Sequence, residues 1–95
     1  MCIIGAGPAG LMLGHLLRAE GIACVVLEQR SAGYVLGRIR AGVLEQGTVG
    51  LLERLGLDAR LKAEGLPHGG FNLTDGARLI RIDIEGLTGR KVWVY

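Results

Sequence analysis

The run Gly5-Ala6-Gly7-Pro8-Ala9-Gly10 constrains this chain more than any other stretch. A short β-prone segment, Cys2 to Ile4, leads straight into it, and Leu13, Leu16 and Leu17 follow at helical spacing. Gly21 then stands where a helix C-terminus takes a glycine. Ala23-Cys24-Val25-Val26-Leu27 is a near-continuous apolar run, the pattern of a strand buried on both faces, and Glu28 closes it. Strand, glycine turn, helix, strand and acid make one βαβ unit. In such a unit Gly5 permits the tight turn, Gly7 lets the backbone approach a pyrophosphate, and Gly10 lets the helix pack close on the strand. Pro8 lies near the helix start, where a missing N–H costs little. Ala9 brings no hydroxyl there but keeps its backbone N–H. The orphan N–H groups and positive dipole end of the helix would face phosphates. Glu28 would accept hydrogen bonds from ribose hydroxyls. The combination predicts a Rossmann-type dinucleotide site, although the glycine pattern by itself does not separate NAD from FAD.

With 95 residues, 49% of them hydrophobic and 21% charged, the chain is expected to fold as one small α/β domain around a core. Its net charge of +2 is spread without a basic tract, and its 4% aromatic content is too low for base-stacking platforms, so nucleic acid is not an expected partner. No apolar run reaches the length of a membrane span and no signal-like segment opens the chain, which points to a cytoplasmic protein without a membrane partner. Cys2 and Cys24 have neither metal-site nor redox spacing and read as reduced core thiols. His15, among the leucines of the first helix, and His68, in a glycine-flanked loop, lack partners at ligand spacing, so no metal is expected.

Downstream, Val43 to Glu64 reads as helix, with Val43, Leu44, Val49, Leu51, Leu52 and Leu55 on an apolar face and a break at Gly56. Leu57 to Glu64 reads as a short second helix with Asp58 near its start. Glu45, Glu53, Arg54, Arg60 and Lys62 read as a solvated face, and no catalytic acid–base pair stands out among them. Beyond Pro67 the period becomes two. Phe71 to Thr74 and Leu79 to Ile84 form an expected hairpin around Asp75-Gly76, with Asp83 and Glu85 on one strand face, and Val92 to Tyr95 begins another strand.

Residues 35–47, VLGRIRAGVLEQG, carry Arg38 and Arg40 in an apolar, glycine-punctuated setting. On an extended segment both side chains point the same way, which suits an anion lying alongside. Together IIGAGPAGLMLGHLL, VVLEQR and YVLGRIRAGVLEQG resemble the N-terminal region of the 4-hydroxybenzoate 3-monooxygenase family of single-component flavoprotein aromatic hydroxylases, and the likeness continues through LPHGGFNLTDGARLIRIDIEGLTG and KVWVY. The resemblance implies FAD as the cofactor. It places Gly5, Gly7, Pro8, Ala9, Gly10, Glu28, Gln29, Arg38, Ile39, Arg40, Ala41, Gly42 and Val43 around it. It also makes Arg30 and Tyr34 candidates for NAD(P)H. Because Gln29 stands directly after the acid and Arg30 one place later, NADPH and NADH both stay open.

By the same resemblance, 1–66 would be the N-terminal part of an FAD-binding domain and 67–95 the start of a substrate-side sheet without its partners. Only four residues precede Gly5, and Tyr95 lies within an apolar run, so the expectation is an N-terminal fragment without a chemical catalyst of its own. The parent would convert 4-hydroxybenzoate to 3,4-dihydroxybenzoate with NAD(P)H and O2. A homodimeric parent stays open, and an unfinished sheet edge predicts self-association. Another FAD-dependent oxidoreductase, or a non-catalytic dinucleotide-binding module, is the alternative.

Overall fold

The computed structural model describes residues 1–38 and 42–95. They form two compact units, Met1–Arg40 and Ala41–Tyr95.

In the first unit, β1 (Cys2–Ile4) lies parallel to β2 (Val25–Leu27), with Ile3 opposite Val26. The crossover is α1 (Pro8–Ala19), as the glycine turn and the leucine spacing require. Gly5 extends the pairing by donating its N–H to the Leu27 carbonyl at 2.7 Å. Gly21, with φ of 73°, ends the helix region in the left-handed conformation that glycine adopts most readily. Ile3 is buried beneath α1. The expectation that β2 is covered on both faces does not hold, since Val25 and Leu27 are 61% and 51% exposed. Alternate strand residues point to opposite faces, and the face opposite Val26 stays more than half exposed at both residues. Nor are the thiols core groups: Cys2 is exposed, while Cys24 is half-buried with its Sγ 3.8 Å from the Gly14 carbonyl oxygen. A short helix, α2 (Ala32–Gly37), follows, its start capped by Ser31, whose Oγ accepts the Tyr34 N–H at 3.3 Å.

The second unit contains β3 (Val43–Leu44), α3 (Gln46–Arg54), α4 (Ala59–Glu64), β4 (Leu66–His68), β5 (Gly70–Thr74), β6 (Leu79–Asp83), α5 (Ile84–Thr88) and β7 (Val92–Val94). Strand β7 lies between β3 and β4, antiparallel to both. This corrects three expectations. Val43 and Leu44 are strand rather than helix, because they pair with Val94 and Trp93. His68 pairs with Val92 rather than lying in a loop. The strand at Val92 has partners, which helical and hairpin periodicities do not reveal because the pairing is long-range.

The helical break and the hairpin match the sequence reading. Gly56 breaks the helical stretch at φ of 68°, and Asp58 stands at the start of α4. Val49 and Leu61 are buried, whereas Arg60–Glu64 and Lys62–Glu53 form exposed ion pairs at 3.1 Å. Strands β5 and β6 form the expected hairpin, with Phe71 opposite Ile82. Its loop runs from Asp75 to Arg78, where Asp75 Oδ1 accepts the N–H groups of Ala77 and Arg78 at 2.9 and 2.8 Å. Asp83 and Glu85 do not share a strand face. Asp83 closes β6 and caps α5, accepting the Gly86 N–H at 3.0 Å, and Glu85 belongs to that helix. Strand β4 spans positions 66 and 67.

Candidate dinucleotide-binding site

The glycine turn follows from the order strand, turn, helix. Gly5 has φ of 101°, a conformation a side chain would strain. Gly7 is extended and caps α1 without any side-chain hydrogen bond, Pro8 opens the helix, and no acidic residue occupies its first turn. The helix N-terminus therefore keeps its positive end clear for an anion. The remaining glycines of the motif have different neighbours. A methyl group on Gly10 would overlap the Gly5 carbonyl oxygen and lie 3.4 Å from Ile3 Cγ2. A methyl group on Gly7 would meet nothing within 4 Å. Gly10 thus serves packing inside the unit, while the space before Gly7 is open to a ligand.

Glu28, at the end of β2, bridges two backbone segments. Its Oε2 accepts the Ala6 N–H at 2.8 Å and its Oε1 accepts the Arg30 N–H at 2.8 Å. The Ala6 bond, followed by the Arg30 bond, holds the carboxyl below the usual carboxylate range. The ionised group retains further lone pairs for ribose hydroxyls.

Beside the turn lies a cleft of about 200 Å³ lined by Gly7, Glu28, Gln29, Arg30, Tyr34 and Arg38, among others. Helix α2 sets Tyr34 close to two cations. The Arg30 guanidinium lies 5.3 Å and that of Arg38 6.0 Å from its ring centroid, and Arg38 Nη1 donates to the Tyr34 hydroxyl at 3.2 Å. A more apolar cleft of about 500 Å³ shares Ala6, Glu28 and Arg30 and adds Leu11, Val26 and Leu36.

The structure therefore brings Arg30 and Tyr34 together with Arg38, although the sequence assigned them to different cofactors. Ile39, Arg40 and Ala41 lie outside the described residues. Gly42 and Val43 belong to the second unit. There Gly42 packs against the Tyr95 carbonyl, leaving no room for a Cβ, and accepts the Tyr95 N–H at 2.8 Å; Val43 is exposed on β3. Two contributors escaped the sequence reading: Ala6, whose N–H engages Glu28, and Ser31, which caps α2. Ser31 was detectable as a helix-start residue; Ala6 carries no side-chain signal. Among the described residues no group of three or more His, Cys, Asp or Glu could hold a metal, and no helix is long and apolar enough to cross a membrane.

Comparison with known proteins bears on the cofactor. The family model described as FAD binding domain matches residues 1–95. The p-hydroxybenzoate hydroxylase of Acinetobacter baylyi is 53% identical over 96 aligned residues, covering 100% of this chain and 24% of the relative. The 6-methylpretetramide 4-monooxygenase of Streptomyces rimosus is 38% identical over 92 residues, 94% of this chain and 21% of the relative. A probable NADH-specific resorcinol 4-hydroxylase of Rhodococcus jostii is 29% identical over 85 residues, 90% of this chain and 16% of the relative. The chain thus spans a quarter or less of the length of these curated relatives.

Proposed function

The chain belongs to the FAD binding domain family, and from that premise we propose that it holds the adenosine and diphosphate of FAD in an aromatic hydroxylase acting on 4-hydroxybenzoate. The observation that carries this reading is the open space before Gly7, flanked by the bare N-terminus of α1 and by Glu28. The diphosphate would lie against the turn from Gly5 to Gly10, with Pro8 and Ala9 at the helix start, and ribose hydroxyls would donate to Glu28. The apolar cleft walled by Leu11, Val26 and Leu36 suits an adenine ring. Gln29 and Arg38 line the neighbouring cleft, where the Arg38 guanidinium supplies fixed donors for phosphate oxygens. On the family resemblance, Ile39, Arg40, Ala41, Gly42 and Val43 are proposed as further cofactor-binding residues.

When bound, FAD supplies the redox chemistry with NAD(P)H as reductant and O2 as oxidant, giving 3,4-dihydroxybenzoate. The residues of this chain bind and orient it, and none is assigned as a chemical catalyst. Arg30 and Tyr34 are proposed to meet the nicotinamide nucleotide, either NADPH or NADH. In this reading 1–66 forms part of the FAD-binding domain and 67–95 opens the substrate-side sheet of the parent enzyme.

The 53% identity to a p-hydroxybenzoate hydroxylase supports this substrate over that of the resorcinol hydroxylase relative. The experiment is a titration of the chain with FAD followed by flavin fluorescence, with Arg38→Ala/Arg40→Ala as control and circular dichroism to verify folding. Saturable binding that weakens in the double variant is the expected result. A folded chain that leaves FAD fluorescence unchanged would refute the cofactor assignment for this chain.

A further inference from the structure

We propose that the second unit carries a self-association surface, in which the free edge of β5 pairs antiparallel with β5 of a second copy, centred on Asn72. The inference is independent of the cofactor assignment. A strand edge with unpaired N–H and C=O groups is a template for another chain, so what matters is which edge of this unit is competent.

Strand β3 has only two residues, and β4 contains Pro67, which has no N–H to donate. Strands β5 and β6 have five residues each and, among the described residues, pair with each other alone, leaving one free edge apiece. Antiparallel self-pairing of β6 about its centre would set Arg81 against Arg81 of the copy, and a charge on an edge strand is the usual protection against such pairing. Strand β5, Gly70-Phe71-Asn72-Leu73-Thr74, carries no charge. Turned about Asn72 it is its own complement. Phe71 of each copy faces Leu73 of the other, Gly70 faces Thr74, and the two Asn72 amides, each both donor and acceptor, face one another.

The pairing also extends a surface that the unit leaves uncovered. Phe71 and Leu73 stand opposite Ile82 and Ile80 on one face of the hairpin. Phe71, Leu73 and Ile80 are 48%, 50% and 51% exposed. Joining two hairpins at β5 merges their apolar faces into one sheet in the order β6-β5-β5-β6, with Phe71 and Leu73 in cross-strand contact. The arrangement closes on a two-fold axis, so growth stops at two copies. So short a ladder makes a contact of the small, transient class.

Sedimentation equilibrium of the chain over a concentration series is expected to show a mass that rises from one copy toward two. Asn72→Lys sets like charges against each other at the axis and is expected to weaken association by about tenfold or more. Asn72→Asp is expected to do the same. An equimolar mixture of the two variants, each verified as folded by circular dichroism, is expected to recover association, because lysine then faces aspartate. A merely local effect of either substitution gives no such recovery. In the unaltered chain, hydrogen exchange at the outward amides of β5 is expected to slow as concentration rises, while that of β6 stays constant.

A mass of one copy throughout, growth past two copies, undiminished association of either single variant, or no recovery in the mixture would each overturn the proposal. If the variants do not fold, the exchange measurement decides, and β5 amides indifferent to concentration overturn it.

Discussion

Gly10 packs so tightly against the carbonyl of Gly5 that no Cβ fits between them, whereas the same addition at Gly7 would enter open space. Glycines three places apart in one motif therefore answer to different demands. Gly10→Ala is expected to destabilise the first unit by roughly 1–3 kcal/mol, the usual cost of forcing a methyl group into filled space. Gly7→Ala should leave folding unchanged and weaken FAD binding by an order of magnitude or more. Thermal unfolding and FAD titration on the two variants separate the effects, and a Gly7→Ala chain that binds FAD normally would show that the open space is not the diphosphate site.

Tyr34→Phe removes the hydroxyl that accepts from Arg38 and keeps the ring close to both guanidiniums. A single hydrogen bond contributes about 0.5–1.5 kcal/mol, so FAD affinity should fall about twofold to tenfold through loss of Arg38 orientation. Arg38→Ala should lower it further. Fluorescence titration at two salt concentrations checks both, since the arginine effect shrinks as screening increases.

The pH dependence of the turn follows from Glu28. Its carboxyl is held below its ordinary value of 4.5 by the Ala6 and Arg30 N–H groups. A depressed folded-state value means that the contribution to stability is fully present above the unfolded value. It is lost as the pH falls from there through the folded one. Urea unfolding of the first unit should therefore weaken below about pH 4.5, and Glu28→Gln should flatten that part of the profile. An identical acid profile in the variant would assign the loss to other carboxyls.

Leu61, on α4, is a buried side chain of the second unit. Leu61→Ala should cost about 2–5 kcal/mol through lost burial and the cavity left behind. In a small unit that is a large share of the total. Denaturant midpoints followed by the emission of Trp93, on β7, would register it.

Local patterns in the sequence carried the first unit well. The spacing from Cys2 to Glu28 places β1, the turn, α1, β2 and the acid where the structure has them. Helix α2 was not legible, because Gly33 and Gly37 dilute its propensity and Ser31 is its main start signal. In the second unit Val43 and Leu44 fit a helical stripe as readily as a strand. The deciding partners, Val94 and Trp93, lie at the far end of the chain. The site was legible by residue type, yet the grouping of Arg30, Tyr34 and Arg38 was not. It depends on one short helix that carries Tyr34 and is flanked by Arg30 and Arg38 at its two ends.

The position of β7 between β3 and β4 has a consequence for how the chain is made. A ribosome releases β3 and β4 long before the strand that joins them, so their edges wait unpaired while the hairpin of β5 and β6 forms locally. The βαβ unit emerges whole and can close first. The nascent second unit, holding open strand edges until Trp93 is free, is the stage at which a chaperone would find its substrate.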